Sequence, residues 1–265
     1  MNKKDRFSVF FIKYRIVKSI KMSKRIKFFL SHLSISMVVA SIILICFFLV
    51  WYPEPLAKAV GAIHLFIMII AIDVILGPVL SFFVYKEAKK TLKFDLTVII
   101  LIQTVALGYG LYSIVQGRPA WVVYNVDRFE LVRNNEITNT NLQIVRPQFR
   151  YPSWFKPSFA AVEVPKNKEE RNKSMFDEIF SGISSAQRPE LFVDLVQIKP
   201  LIQHRVQNLN ELEKYNSKQQ VKTVLKKYPS ADAWVPLKAN AIDMVVLMNK
   251  NSAQVVKIVD LRPWK

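Results

Sequence analysis

Asp73 is the residue whose chemistry its surroundings make most costly. It stands near the middle of residues 60–84, an apolar run with no other Asp, Glu, Lys or Arg. An ionisable group at the centre of a membrane helix costs about 2.5–3.5 kcal/mol to insert, so its carboxyl should face protein and not lipid. One reading ties it to Gln103 or Thr104, the main polar residues inside a later apolar run, residues 96–115. Such interhelical bonds are worth about 0.6–2 kcal/mol. The other reading is a contact with a polar group on another chain's membrane helix. No second acid lies nearby in the apolar runs, which argues against a proton relay. Gly77 and Pro78 follow one turn later. Pro78 removes a helix hydrogen bond and should kink the helix, either for packing or to open a groove for a partner helix.

Little else in the chain has the spacing of a reactive site. The histidines are His32, His64 and His204, and none lies three or four residues from another His or a Cys. A zinc site needs three or four convergent ligands, so no metal is expected. The six glycines form no phosphate-binding loop, and no G-x-S-x-G elbow or D-x-D motif occurs. The reading is therefore a protein without enzyme activity and without a cofactor. Cys46 is the sole cysteine, so no disulfide forms within the chain.

The elements that carry these residues follow from hydropathy. Three apolar runs, residues 28–51, 60–84 and 96–115, are each long enough to cross a hydrocarbon core of about 30 Å as a helix. The first run is longer than a signal-peptide core and two more follow, so it is read as retained, although Ala57-Lys58-Ala59 offers an A-x-A pattern. The net charge is +18, and residues 1–27 carry ten Lys or Arg against one acid. The loop at residues 85–95 holds Lys86, Lys89, Lys90 and Lys93 against Glu87 and Asp95, while residues 52–59 hold only Glu54 and Lys58. Basic segments stay in the cytoplasm. The N-terminus and the Lys-rich loop are therefore expected inside, and residues 116–265 outside. Trp51, Tyr52, Tyr112 and Trp121 fall at the outer ends of runs one and three, as interfacial aromatics do. Met22, followed by Ser23, Lys24 and Arg25, would make a sensible start, and either start leaves the orientation unchanged.

Residues 116–265 read as an α+β domain with a small antiparallel sheet, on a base of three N-terminal transmembrane helices. Strands are expected at 121–126 and 159–164, and a hairpin from 242–248 and 253–260 joined through Asn249, Lys250, Asn251 and Ser252. Residues 134–141 read as a loop or a frayed helix start. Residues 147–157, with three prolines among Phe149, Tyr151, Trp154 and Phe155, read as an irregular surface segment. A helix over 166–183 would be capped by Asn167 with Glu170, and would place Met175, Phe176, Ile179, Phe180 and Ile183 on one face. A second helix is expected over 208–228, stopped by Pro229. Lys218, Lys222 and Lys226 share a face there, read as solvated, with acidic lipid headgroups or an acidic protein as its possible targets. Nucleic acid is not expected, since no groove-reading or base-stacking element accompanies the charge.

Several blocks are unusual in combination: residues 27–32 (KFFLSH), 51–60 (WYPEPLAKAV), 71–78 (AIDVILGP), 85–95 (YKEAKKTLKFD) and 117–132 (GRPAWVVYNVDRFELV). Together they resemble the type IV pilin accessory proteins, the TfpX/TfpZ family of Gram-negative bacteria. The likeness runs from about Lys27 through most of the chain, is looser in the C-terminal half, and leaves the first 21 residues as an addition. It implies an inner-membrane protein that promotes assembly of its cognate major pilin into fibres, with no catalysis and no cofactor. Implied partners are that pilin, membrane lipids and other inner-membrane pilus assembly proteins. The family offers no active-site residues to carry over. The candidate partner contacts, Asp73, Pro78, Gln103, Trp121, Tyr124, Asp127 and Arg128, are physical choices from the matched blocks. A membrane-bound pilin-modifying transferase and a subunit of the assembly platform are the alternatives.

Overall fold

The computed structural model describes residues 22–138, 142–163 and 167–265. Three long helices come first: α1 (Lys24–Trp51), α2 (Ala62–Val84) and α3 (Leu92–Gln116). At 1.5 Å per residue the shortest rises about 34 Å, enough to span a bilayer core. They carry exposed apolar side chains all round, among them Ile35, Val38, Leu49, Ile67, Phe83, Leu101 and Val105. Water would not tolerate such a surface, whereas lipid solvates it. Helices α1 and α3 begin earlier than their apolar runs, because Lys24, Arg25 and Lys93 are good helix formers that continue the turn outward. Two segments widen to π-helix, Phe47–Trp51 at the end of α1 and Ala71–Leu76 inside α2.

The chain forms two compact units, and the division falls inside the helices and not at their exit. One unit comprises the chain up to Ile42 with Met68–Gly108; the other comprises Ile43–Ile67 with Tyr109–Lys265. The second unit thus holds the C-terminal domain together with the end of α1, the start of α2, and the loop between them. Phe47 is fully buried there, stacked on Tyr52 at 4.4 Å and on Phe66 at 4.5 Å between ring centroids. The Tyr52 hydroxyl donates to Ile114 O at 2.6 Å. The loop is also held by the domain, because the backbone N–H groups of Ala241 and Ile242 both donate to Ala59 O, at 2.9 and 3.1 Å. Lys58 pairs with Asp260 at 2.5 Å.

Among the described residues the domain holds one mixed sheet of eight strands, not the small antiparallel sheet expected from sequence. The strands are β1 (Pro119–Asn125), β2 (Arg128–Arg133), β3 (Ser158–Val162), β4 (Phe192–Val193), β5 (Gln207–Asn208), β6 (Ala233–Lys238), β7 (Met244–Asn249) and β8 (Gln254–Val259). Their order is β4-β3-β1-β2-β6-β7-β8, with β5 on β6. The β1–β3 and β2–β6 pairs are parallel. Every residue of β1 is buried, which fits its unbroken aromatic and β-branched run. Trp121 and Val123 pack with Phe149, Ala160 and Phe192 in one core, while Leu212, Val221, Trp234, Val245, Leu247 and Leu261 form another.

The expected hairpin at the C-terminal end is present as β7 and β8. The helix expected over 208–228 is broken in two. Residues Leu209–Lys214 form a 3-10 turn, and Ser217 caps a new helix, Lys218–Leu225, by accepting from Gln220 N. Asn216 causes the break, since its side chain bonds Leu212 O and both the N–H and C=O of Arg262. The helix expected over 166–183 runs over Lys168–Ser181. Its proposed partner in the cap, the Glu170 side chain, lies outside the described residues. So do Lys166, Val164 and residues 139–141, at the edges of other expected elements, and residues 1–21.

Candidate functional site

The polar residues of the membrane region converge on Gln103. Its Nε2 donates to Asp73 Oδ1 at 2.7 Å and to the Asp73 carbonyl at 2.8 Å, with Ser36 Oγ farther off at 3.3 Å. Its Oε1 lies 3.1 Å from His32 Nε2, and His32 Nδ1 lies 3.0 Å from Ser81 Oγ. An amide nitrogen set against two acceptor oxygens leaves Oε1 to accept, so His32 Nε2 is the donor. In the neutral ring Nδ1 then accepts from Ser81. The bonds run in one direction, from Ser81 through His32 and Gln103 to Asp73, and each polarises the next. All three helices contribute, and Ser36, Asp73 and Ser81 are buried.

Local structure makes room for this cluster. Asp73 sits in the π turn of α2, where a widened backbone leaves its carbonyl open to a side-chain donor. A Cβ added at Gly77 would lie 2.1 Å from Gln103 Oε1, so glycine is what lets the amide reach Asp73. Pro78 is buried directly after the π turn, at the start of the α-helical segment Gly77–Val84, where its missing N–H costs least. Thr104, the other expected partner of Asp73, donates instead to Ile100 O.

A serine, a histidine and an aspartate in one chain of hydrogen bonds invite comparison with a hydrolytic triad. The connectivity differs, because Gln103 stands between His32 and Asp73, and Ser81 is fully buried with no face for a substrate. What the arrangement does chemically is fix three helices in register and orientation. Among the described residues no group of three or more His, Cys, Asp or Glu is placed to hold a metal.

The other candidates do not join this cluster. Trp121 and Tyr124, chosen as partner contacts, are core residues. Trp121 meets Phe149 and Phe192 edge to face, and Tyr124 meets Phe129 in the same way. Both lie on a wholly buried central strand. Tyr52 is likewise buried within the protein, whereas Tyr112 is exposed. Burial pushes the Tyr124 hydroxyl up to about 12, with Asp127 adding to the rise and Arg205 opposing it. Asp127 and Arg128 stand half-buried at the β1–β2 turn and pair with each other at 2.8 Å. That bond to Asp127 raises the Arg128 pKa.

The comparisons with known proteins agree in kind. The family model "Fimbrial assembly protein FimB" matches residues 20–61. The fimbrial assembly protein of serogroup I from Dichelobacter nodosus is 34% identical over 233 residues, covering 83% of this chain and 89% of the relative. The serogroup E1 protein of the same organism is 35% identical over the same shares. The chain belongs to the fimbrial assembly protein family. A third protein of that organism, from serogroups C1 and C2, is 38% identical over 109 residues, covering 40% of this chain and 82% of the relative. No solved structure matches.

In this family member His32, Ser36 and Ser81 are the site residues that sequence reasoning missed. The signal was present as spacing: His32 and Ser36 are four apart, and Asp73, Gly77 and Ser81 continue at the same interval. Residues four apart share a helix face, so each run draws a polar or small stripe toward the bundle interior. Arg118, also overlooked, is buried just past α3, where its Nη1 donates to Val115 O at 2.9 Å. Burial lowers its pKa, and Tyr52 opposes the shift.

Proposed function

We propose that this fimbrial assembly protein is a type IV pilin accessory protein, a chaperone-like factor that promotes assembly of its cognate pilin without chemical modification. The observation that carries the reading is the relationship to named fimbrial assembly proteins over 83% of the chain. On this reading the three helices lie in the bacterial inner membrane. The basic N-terminal segment and the Lys-rich loop are cytoplasmic, and the sheet domain is periplasmic. A pilin subunit awaiting assembly has an apolar membrane helix and an outside head, so a three-helix base with an outside domain can engage both. Asp73 and Gln103 then act from within, by keeping the base in one shape, and the lipid-facing helix surfaces receive the pilin helix. The apolar face of Lys168–Ser181, with Phe176, Ile179 and Phe180 exposed, is a second surface for the head.

Deleting the gene and measuring surface pili together with membrane pilin tests this. Pili should be lost while pilin remains in the membrane and a foreign pilin still assembles. Loss of every pilus type would instead mark a platform subunit. Unchanged fibres lacking only a pilin modification would mark a transferase.

A further inference from the structure

Residues 150–157 carry three large side chains that the domain's own core does not use. Tyr151, Trp154 and Phe155 are 74%, 63% and 67% exposed, while Phe149 just before them is buried. Arg150 and Lys156 flank them and are exposed too. Single apolar residues on a surface need no explanation, but three within five residues, two of them Trp and Tyr, mark a contact.

Three observations fix where this patch lies. Arg118, two residues beyond α3, donates to the carbonyl of Val115 in the last turn of that helix. The guanidinium carbon of Arg118 lies 4.8 Å from the centre of the Trp154 ring, so the indole is one side chain away from the end of a membrane span. The register agrees: β3 runs parallel to β1 and begins with Ser158 beside Trp121. The segment feeding β3 therefore emerges at the same end of the sheet as the exit of α3. Trp and Tyr favour that depth, where ring bodies meet acyl chains and polar edges meet headgroups. Nearby cations favour lipid phosphates.

We infer that residues 150–157 form a membrane-interface wedge. Tyr151, Trp154 and Phe155 enter the headgroup–acyl boundary of the leaflet where α3 ends, and Arg150 and Lys156 sit among the phosphates. The wedge adds a contact between domain and bilayer beyond the helices themselves, and so sets how the domain faces the membrane. The apolar face of Lys168–Ser181 does not share this position. That helix leads to Ser184, whose Oγ bonds Glu130 and meets Asn125, at the other end of β1 and about 20 Å along the strand.

The full chain with Cys46→Ser, carrying one new cysteine at a time, tests the wedge. Trp154→Cys, Phe155→Cys and Phe180→Cys are each labelled with an environment-sensitive fluorophore and reconstituted into vesicles of phosphatidylethanolamine and phosphatidylglycerol. At positions 154 and 155, emission should shift to the blue, and a shallow nitroxide-labelled lipid should quench it several-fold more than at position 180. Aqueous iodide should show the reverse order. Phe155→Cys covers the case in which loss of the Trp154 ring disturbs Arg118. Water-like behaviour at 154 and 155, equal to that at 180, overturns the inference and leaves the patch to a protein partner.

Discussion

In one part of the membrane region the helices meet through hydrogen bonds, as Ser81, His32, Gln103 and Asp73 link all three. In the other they meet through stacked rings, with Phe47 between Tyr52 and Phe66. Hydrogen bonds in lipid are directional and individually modest. Ring packing is tolerant of angle and scales with buried area. The polar cluster therefore specifies which face of each helix turns inward, and the aromatic cluster supplies more of the cohesion. A fimbrial assembly protein with an exposed lipid-facing surface needs both, since lipid alone gives apolar helices no reason to choose one packing over another.

This contrast can be broken by substitution. Phe47→Ala should have the largest effect, destabilising the aromatic end by about 3–5 kcal/mol, read as a lowered midpoint of thermal unfolding in detergent. The sheet domain beyond both clusters should answer to pH. Tyr124, on β1 of the sheet domain, has no hydrogen-bond partner for its hydroxyl among the described residues. Its pKa rises in the fold from 10.0 to about 12. The folded state therefore holds that proton more tightly than the unfolded state. The associated stability is complete below pH 10 and falls as pH climbs through 12, by about 2–3 kcal/mol in all. Unfolding curves across that window should steepen this loss in the wild type, and Tyr124→Phe should flatten it.

Gln103→Leu comes next, with about 1–2 kcal/mol lost and a clearer loss of specificity than of stability. Cysteine pairs across α1 and α2 should cross-link in one register in the wild type and in several in the variant. Gly77→Ala should reproduce that spread by pushing the amide away, although it removes no hydrogen-bonding group. The smallest effect lies outside both clusters. Val126 holds a φ of 59°, the left-handed region, at the exposed β1–β2 turn. Val126→Gly should raise stability by about 1 kcal/mol, and it provides a scale for the other four.

The sequence made the three helices legible because nothing but lipid solvates such long apolar runs. Strands β1, β7 and β8 were equally plain from their β-branched runs. Strand β2 was missed because Arg128, Glu130 and Arg133 alternate with Phe129 and Leu131, so half of it reads as polar surface. Strand β6 was missed because Pro236 looks like a breaker. On one side β6 pairs with β5 through Ala233 and Trp234 and with β2 through Leu237 and Lys238, and neither pairing includes Pro236. Asp73 and Gln103 stood out by cost alone. Their companions did not, since a lone histidine or serine in an apolar run carries little penalty. Only the partners reached through the fold give such residues meaning.

The bonds from Ala241 and Ile242 to Ala59, and the pairing of Lys58 with Asp260, bear on how this family can be taken apart. The sheet domain follows α3 in the chain, yet part of its surface is completed by a loop that precedes α2. A fragment beginning at Gly117 would leave the N–H groups of Ala241 and Ile242 without their acceptor and Asp260 without Lys58. A hybrid built on this chain would need to exchange residues 52–61 along with the domain, because the two segments are one inheritable unit written in two places.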